Sequence, residues 1–260
     1  MSILETIWAA KRDEAEVLRR RRSMADWRSE AEEQPPTLGF RRALIESRHR
    51  IALIAEVKRA SPVKGVLRKD FDPVEIAGSY LSAGADCLSV LTDGQFFQGA
   101  ADYLDLCRSA TRLPVLRKDF ILDEVQIYES RTLGADAILL IVNGLSDAQL
   151  FEYSALAKEL GMDVIVEIHT AAEAQKAINV GADLIGVNNR DLETFETRLG
   201  TALELIPVLA QSATIVSESA LASAGDIETV HSAGARAVLI GSAFCGADDI
   251  EAKVIEVMGW

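Results

Sequence analysis

The sequence predicts an α/β protein, a closed (β/α)8 TIM barrel with an N-terminal helical extension. Three observations point there. The chain has 260 residues, the size of one such barrel of roughly 250 residues. Four glycine-centred segments recur at intervals of 50, 47 and 53 residues: Ala83-Gly84-Ala85-Asp86, Leu133-Gly134-Ala135-Asp136, Val180-Gly181-Ala182-Asp183 and Ala233-Gly234-Ala235-Arg236. Each runs directly into an apolar stretch, and four more apolar stretches alternate with these, separated by helix-like segments.

In chain order, residues 1–50 stand apart. Ser2 and Glu5 fit a capping box, and Ile3, Leu4, Ile7, Trp8, Val17 and Leu18 recur at roughly helical spacing. The basic run 19–22 reads as a solvated helix end, with help in attracting an anion as the alternative. The polar stretch 30–36 ends in Pro35-Pro36 and reads as a linker; 40–45 reads as a second short helix. These pieces have no core of their own, so residues 1–260 form one barrel domain, of which 1–50 is the extension. The eight expected strands are 51–57, 87–91, 114–116, 137–142, 164–168, 184–187, 214–216 and 237–240. Their near-continuous apolar character suits strands buried on both faces. Helices are expected at 73–83, 123–133, 147–160 and 171–180, and Gly84, Gly134, Gly181 and Gly234 suit left-handed helix caps. Strands alternating with helices imply a parallel sheet with right-handed crossovers. No GxGxxG follows strand one, which argues against a dinucleotide-binding sheet.

The net charge is −13. So acidic a surface disfavours nucleic acid and anionic membranes as partners, and an anionic small-molecule substrate would need a local basic pocket. Cys87, Cys107 and Cys245 fit neither a zinc site nor a disulfide framework and read as packing thiols in a reducing compartment. With no apolar leader and no membrane-length apolar run, a cytoplasmic location is expected.

In such barrels chemistry gathers at the C-terminal ends of the strands. Strand one delivers Glu56 and Lys58, two apart and so on one side of the strand; an inward ion pair there must be satisfied to be tolerated. Strand three delivers Lys118, whose desolvation is expected to lower its pKa towards a useful acid range. Strand five places Glu167 inside an apolar run, where packing does not explain it; His169 is expected to face the other way in a structural role. Strand six brings Asn188, which donates and accepts, and Arg190, which can brace a carboxylate. Strand seven ends Ser217-Glu218-Ser219-Ala220, and strand eight ends Gly241-Ser242. The loops after these last two strands are the usual phosphate site of the fold, because small residues let backbone N–H groups approach an anion.

At this point five segments in register carry a resemblance: Ile54-Ala55-Glu56-Val57-Lys58-Arg59-Ala60-Ser61-Pro62, Leu116-Arg117-Lys118-Asp119-Phe120, Val166-Glu167-Ile168-His169, Gly186-Val187-Asn188-Asn189-Arg190-Asp191-Leu192 and Val216-Ser217-Glu218-Ser219. In order and spacing they resemble the indole-3-glycerol phosphate synthase family over nearly the whole chain, including an extension that in the family helps cover the substrate. With one barrel's length present, the fused form carrying an isomerase barrel is not implied. The resemblance implies a carboxy-lyase of tryptophan biosynthesis, acting on the anionic substrate 1-(2-carboxyphenylamino)-1-deoxyribulose 5-phosphate. It implies no cofactor and no metal, and other tryptophan-pathway enzymes as partners.

Residue by residue, Lys118 resembles the general acid of ring closure and Glu167 the acid/base of the dehydration. Lys58 resembles the lysine that binds the substrate carboxylate, with a second proton-transfer role, and Glu56 the glutamate that orients it. Asn188 and Arg190 resemble residues that position the sugar hydroxyls and the catalytic carboxylates. Glu218 and Ser219 resemble the strand-seven pair, Ser219 facing the substrate. The aromatic ring needs an apolar slot, for which Phe97, Phe120, Leu139, Leu192 and Leu239 are placed; the phosphate would sit with Ser61, Ser219, Ala220, Gly241 and Ser242. Two positions depart from the family. Ala220 stands where glycine is usual, and would be strained if the site needs positive φ; Gln98 stands where asparagine is usual. A related isomerase would need a cysteine and an aspartate as its acid/base pair, and strand one brings Glu-x-Lys instead. A non-catalytic phosphate-binding barrel is favoured only by Ala220.

Overall fold

The structure, a computed structural model, describes residues 3–191 and 196–260. Among them eight parallel strands close into a barrel: β1 (Ala52–Val57), β2 (Cys87–Leu91), β3 (Val115–Lys118), β4 (Ala137–Ile141), β5 (Asp163–Ile168), β6 (Leu184–Asn188), β7 (Thr214–Glu218) and β8 (Ala237–Ile240). Each strand pairs with its neighbours in sequence, and β1 closes the ring against β8. A two-residue antiparallel bridge, Ala60–Ser61 with Gly65–Val66, folds the loop after β1 into a small hairpin. The expected strands all appear, with ends differing by one or two residues. The main shortfalls are at β3 and β7, which continue through Lys118 and Glu218 because the functional side chains still belong to the ladder.

The pleat divides the apolar residues into two layers. One set points inward, among them Ile54, Cys87, Leu116, Leu139, Ile165, Val216 and Leu239, and forms the barrel core. The alternate set, including Leu53, Leu88, Ile138, Val164, Ile185 and Val238, packs against the surrounding helices. This is why the strands read as continuous apolar runs. The four spaced glycines all have positive φ, from 68° to 115°, as a left-handed turn out of a helix requires. The aspartates after two of them tie strands together at the barrel's N-terminal end. Asp86 accepts from Leu53 N (2.8 Å), and Asp136 accepts from Val115 N (2.9 Å) and Leu38 N (2.7 Å). All three cysteines are buried and free, and burial pushes the Cys107 thiol up to about 12.

The extension spans the barrel from end to end. Helix α1 (Ile3–Arg21) lies over the C-terminal mouth, where Trp8 packs edge-on against Phe120 with ring centroids 5.3 Å apart. Gly144 makes room for this indole, since a Cβ there would come within 2.7 Å of the ring. Helix α3 (Phe40–Ile45) plugs the N-terminal mouth with Phe40 and Leu44, both fully buried, while Arg41 N donates to Asp163 (2.8 Å). Between them lies α2 (Met24–Glu32), a helix that sequence reasoning overlooked: the stretch 30–36, read as a linker, begins inside it. Ser23 caps its start by accepting from Asp26 N, and Trp27 and Ala31 bury against Val125 and Tyr128. The basic run is a solvated helix end, as expected, whose largely exposed side chains also find surface partners. Arg19 reaches Asp123 and Glu124, Arg20 reaches Glu16, and Arg22 pairs with Glu30. Ser2, and with it the expected capping box, lies outside the described residues.

One lysine locks the cover helix to the barrel. Lys11 is 1% exposed, and its Nζ stands 2.8 Å from each of Glu14, Asp93 and Asp119. Asp119 follows Lys118 directly, and Asp93 Oδ1 accepts from Phe96 N and Phe97 N. Burial pushes the Asp119 carboxyl up, but Arg117 and Lys11 outweigh it and hold it at about 2. Replacing Lys11 with Met takes the cation from buried Asp93 and leaves Asp119 with Arg117 alone, so Lys11→Met is expected to lose about 3 kcal/mol of stability, read as a lower urea midpoint. The Asp119 carboxyl is depressed on folding. Its contribution is therefore complete above its unfolded value of 3.8 and lost as pH falls towards about 2. The gap between wild type and variant should close over that range.

Candidate active site

At the C-terminal mouth the inward positions change from apolar to charged. Glu56, Lys118, Glu167, Asn188 and Glu218 are the last inward residues of β1, β3, β5, β6 and β7, and the three glutamates are 2–4% exposed. Two glycines make the layer possible. A Cβ on Gly241 would collide with the Glu56 carboxylate, and one on Gly186 with that of Glu218.

Lys118 is the hub. Its Nζ lies 3.0 Å from Glu167 Oε2 and 2.6 Å from Glu218 Oε2. Lys58 pairs with Glu56 Oε1 at 2.9 Å and lies 5.7 Å from the centre of the Phe97 ring. The expectation that desolvation lowers the Lys118 pKa is overturned. Burial does pull it down, but Glu167, Glu218 and Glu56 together hold it above the ordinary lysine value. Lys118 is therefore an ammonium in the free site, and an acid only towards something as basic as an alkoxide.

The carboxylates divide the other way. Burial pushes Glu218 up to about 7, with Lys118 opposing and the nearby Glu167 and Glu56 adding to the rise. Glu167 feels the same burial, but Lys118 and His169 outweigh it and keep it ionised. Neighbouring carboxylates around one cation cannot all stay charged equally. His169 also departs from expectation. Its ring does not turn away: Nε2 is 3.4 Å from Glu167 Oε1, and Nδ1 is 3.3 Å from Glu173 Oε2. Burial lowers its pKa, but the two glutamates more than compensate and raise it to about 10.

These groups line a cavity of about 860 Å³. Phe97, Phe120, Leu139 and Leu239 form its apolar wall, as expected; Leu192 lies outside the described residues. Ile3, Leu4 and Ile7 of α1 complete that wall, a contribution that helical periodicity alone could not locate. Arg190 and Asn188 stand at the rim, where Asn188 Oδ1 accepts from Arg190 N at 3.0 Å. Ser61, Ser219, Ala220, Gly241 and Ser242, just after the ends of β1, β7 and β8, line the same cavity, as do Lys64 and Arg198. Neither of these two cations was singled out from the sequence, although a lysine three residues after Ser61, in the loop leaving strand one, is the kind of signal that could have found it. Among the described residues no group of three or more His, Cys, Asp or Glu is placed to hold a metal ion, and no helix is long and apolar enough to cross a membrane.

A barrel with buried, mutually perturbed Lys and Glu side chains at its C-terminal mouth defines a (β/α)8-barrel enzyme of the acid–base kind. Solved structures agree on the fold. 3-Hexulose-6-phosphate synthase from Salmonella typhimurium superposes with a TM-score of 0.64 at 16% identity, covering 80% of this chain and 97% of its own. Thiamine phosphate pyrophosphorylase from Pyrococcus furiosus gives 0.62 at 16%, covering 82% and 96%. The family model for indole-3-glycerol phosphate synthase matches residues 4–257. Proteins of that name from Laribacter hongkongensis (48% identical over 245 residues, 93% of each chain) and Chlorobium phaeovibrioides (50% over 241 residues, 93% of each) are similar throughout. The chain belongs to the indole-3-glycerol phosphate synthase family.

The Ala220 position is strained. Ser219 and Ala220 have φ of 65° and 58°, and Gln98 has 53°, a region open to glycine, tolerated by asparagine and unfavourable for other residues. Ala220→Gly removes about 1–2 kcal/mol of backbone strain and gives back roughly 0.5–1 kcal/mol through the freer unfolded chain. A net gain of up to about 1.5 kcal/mol is expected in urea unfolding, together with tighter binding of inorganic phosphate by calorimetry.

Proposed function

We propose that this protein converts 1-(2-carboxyphenylamino)-1-deoxyribulose 5-phosphate to indole-3-glycerol phosphate, closing the ring and releasing carbon dioxide and water in L-tryptophan biosynthesis. The observation that carries the residue assignment is Lys118 Nζ held within 3.0 Å of both Glu167 and Glu218 beside an apolar wall. Ring attack on the sugar ketone develops an alkoxide. A positioned ammonium in a largely dry pocket stabilises that charge and then protonates it. Its raised pKa is no obstacle, because an alkoxide is more basic still.

Lys58, steered by Glu56, meets the substrate carboxylate and holds it against the aromatic wall of Phe97 and Phe120. Loss of carbon dioxide restores the aromatic ring. Glu167, kept ionised by Lys118 and His169, then takes the proton from the sugar carbon bound to nitrogen, while the new hydroxyl leaves as water. Glu218, whose carboxyl burial pushes up to about 7, holds the Lys118 ammonium at 2.6 Å. Asn188 and Arg190 hold the sugar hydroxyls. Ser61, Ser219, Ala220, Gly241 and Ser242 receive the phosphate through short side chains and backbone N–H groups, with Lys64 adding charge at the rim. The N-terminal extension belongs to the same folding unit as the barrel, and its helix α1 covers the bound ring. The setting is the cytoplasm, where other tryptophan-pathway enzymes supply the substrate and take the product.

Mixing protein and substrate is expected to produce indole fluorescence at a rate proportional to enzyme concentration. Lys118→Met should lower kcat by about 10²–10⁴-fold with an unchanged circular dichroism spectrum. Retained turnover in that variant would remove Lys118 from the mechanism.

A further inference from the structure

The reaction proposed above consumes one proton per turnover, and the inference that follows rests on that reading. Ring attack forms a carbon–carbon bond and an alkoxide, which takes a first proton. The bond to the carboxylate then breaks, carbon dioxide leaves, and its electron pair restores the aromatic ring. The hydroxyl departs as water with a second proton, while the neighbouring carbon gives one proton up as the double bond forms. The protein donates two protons and recovers one. Lys118 holds only one to give, and the recovered proton arrives last, on Glu167. The second proton must therefore come from another group, Lys58 or Glu218, or from Lys118 recharged inside a cavity covered by α1.

Behind Glu167 stands a group with the means to do this. Glu167 uses Oε2 for Lys118 and turns Oε1 to His169 Nε2 at 3.4 Å. That nitrogen is buried and has no aligned hydrogen-bond partner, an arrangement that packing alone leaves unexplained. The other ring nitrogen faces Glu173 Oε2 at 3.3 Å, and His169 N donates to the same oxygen at 2.6 Å, fixing the carboxylate at the start of the helix Ala171–Asn179. The side chains of His169 and Glu173 keep 10% and 14% of their exposure, so solvent reaches this outer end.

We propose that His169, backed by Glu173, is the proton reserve that recharges Lys118 through Glu167 within one turnover. Lys118 protonates the alkoxide. His169 passes its Nε2 proton to Glu167 Oε1, and Glu167 passes a proton to Lys118, which gives it to the departing hydroxyl. Glu167, ionised again, takes the carbon-bound proton and returns it to Lys118. The cycle ends with His169 neutral, one proton short, and solvent at the Glu173 side refills it. The charged groups facing the ring are Glu167 from β5 and Glu173 from the helix that follows β5, with Lys118 from β3 one contact beyond. His169 and Glu173 act through Glu167 and do not touch substrate.

The test uses the full-length protein with Glu173→Gln and His169→Gln. Both are expected to lower kcat about ten-fold or more, in the range of lost acid–base assistance, with KM unchanged and a larger solvent deuterium isotope effect. In Glu173→Gln the alkaline fall in kcat should begin at lower pH than in wild type, where the ring titrates near 10. Unchanged kcat, isotope effect and pH profile in both variants would mean that the second proton comes from Lys58 or water, and would overturn the proposal; so would a loss of stability alone. Nitrogen-15 NMR of His169 decides independently of turnover. An imidazolium at pH 8 in wild type, converted towards the neutral ring in Glu173→Gln, supports the reserve, and a neutral ring in wild type removes it. Absence of indole product from the wild type would instead fall on the proposed reaction.

Discussion

A single buried cation sets the terms for the mouth of this barrel. Lys118 sits on a strand whose inward neighbours are apolar, so its charge survives only if carboxylates reach it there. Glu167 and Glu218 do so directly, and Glu56 adds to the field. Those carboxylates need space and backing of their own. Gly186 and Gly241 leave the space, Lys58 backs Glu56, and His169 backs Glu167. An ionic cluster of this kind is a weak source of stability and destabilising to break. Its arrangement therefore makes sense as preorganised chemistry, with charges already in place where a reaction develops them.

The extension makes that chemistry enclosed. A bare barrel would open this layer to water, and water would weaken each interaction within it. Helix α1 brings Ile3, Leu4 and Ile7 across the opening, while α3 stoppers the far end with Phe40 and Leu44. Lys11 sets the seating of the cover by joining Asp119, the residue after Lys118, to Asp93, whose carboxylate holds the Phe97 backbone. The cover, the acid and the aromatic wall thus share one small group of ion pairs.

Much of this was legible in the sequence because barrel strands carry a strong signal. Strand position, the inward direction of Glu56 and Glu167, and the turn glycines all follow from a period of two and a repeat near fifty residues. The parts that escaped depend on contacts distant in sequence. Helix α2 is short and mostly polar, and its buried face is two residues, Trp27 and Ala31, that matter only once the helix Glu124–Thr132 is beside them. Lys11 looks like any lysine on an amphipathic helix until Asp93 and Asp119 are brought to it. The direction of the Lys118 shift was misjudged for the same reason. Burial is readable from one strand, but the three opposing carboxylates come from three others. His169 is two residues after Glu167, and strand alternation puts the two on one side; the expectation that it turns away overlooked that spacing.

The placement of Lys11 also bears on how the chain is made. It leaves the ribosome early, yet Asp93 and Asp119 follow 82 and 108 residues later, and the barrel they belong to cannot close until β8 is available to meet β1. Helix α1 must therefore wait, with Leu4, Ile7 and Trp8 uncovered, through most of translation. Transiently exposed apolar surface of this kind invites association with other chains. The helix that shields the finished site is, for the nascent chain, the segment with the longest claim on a chaperone.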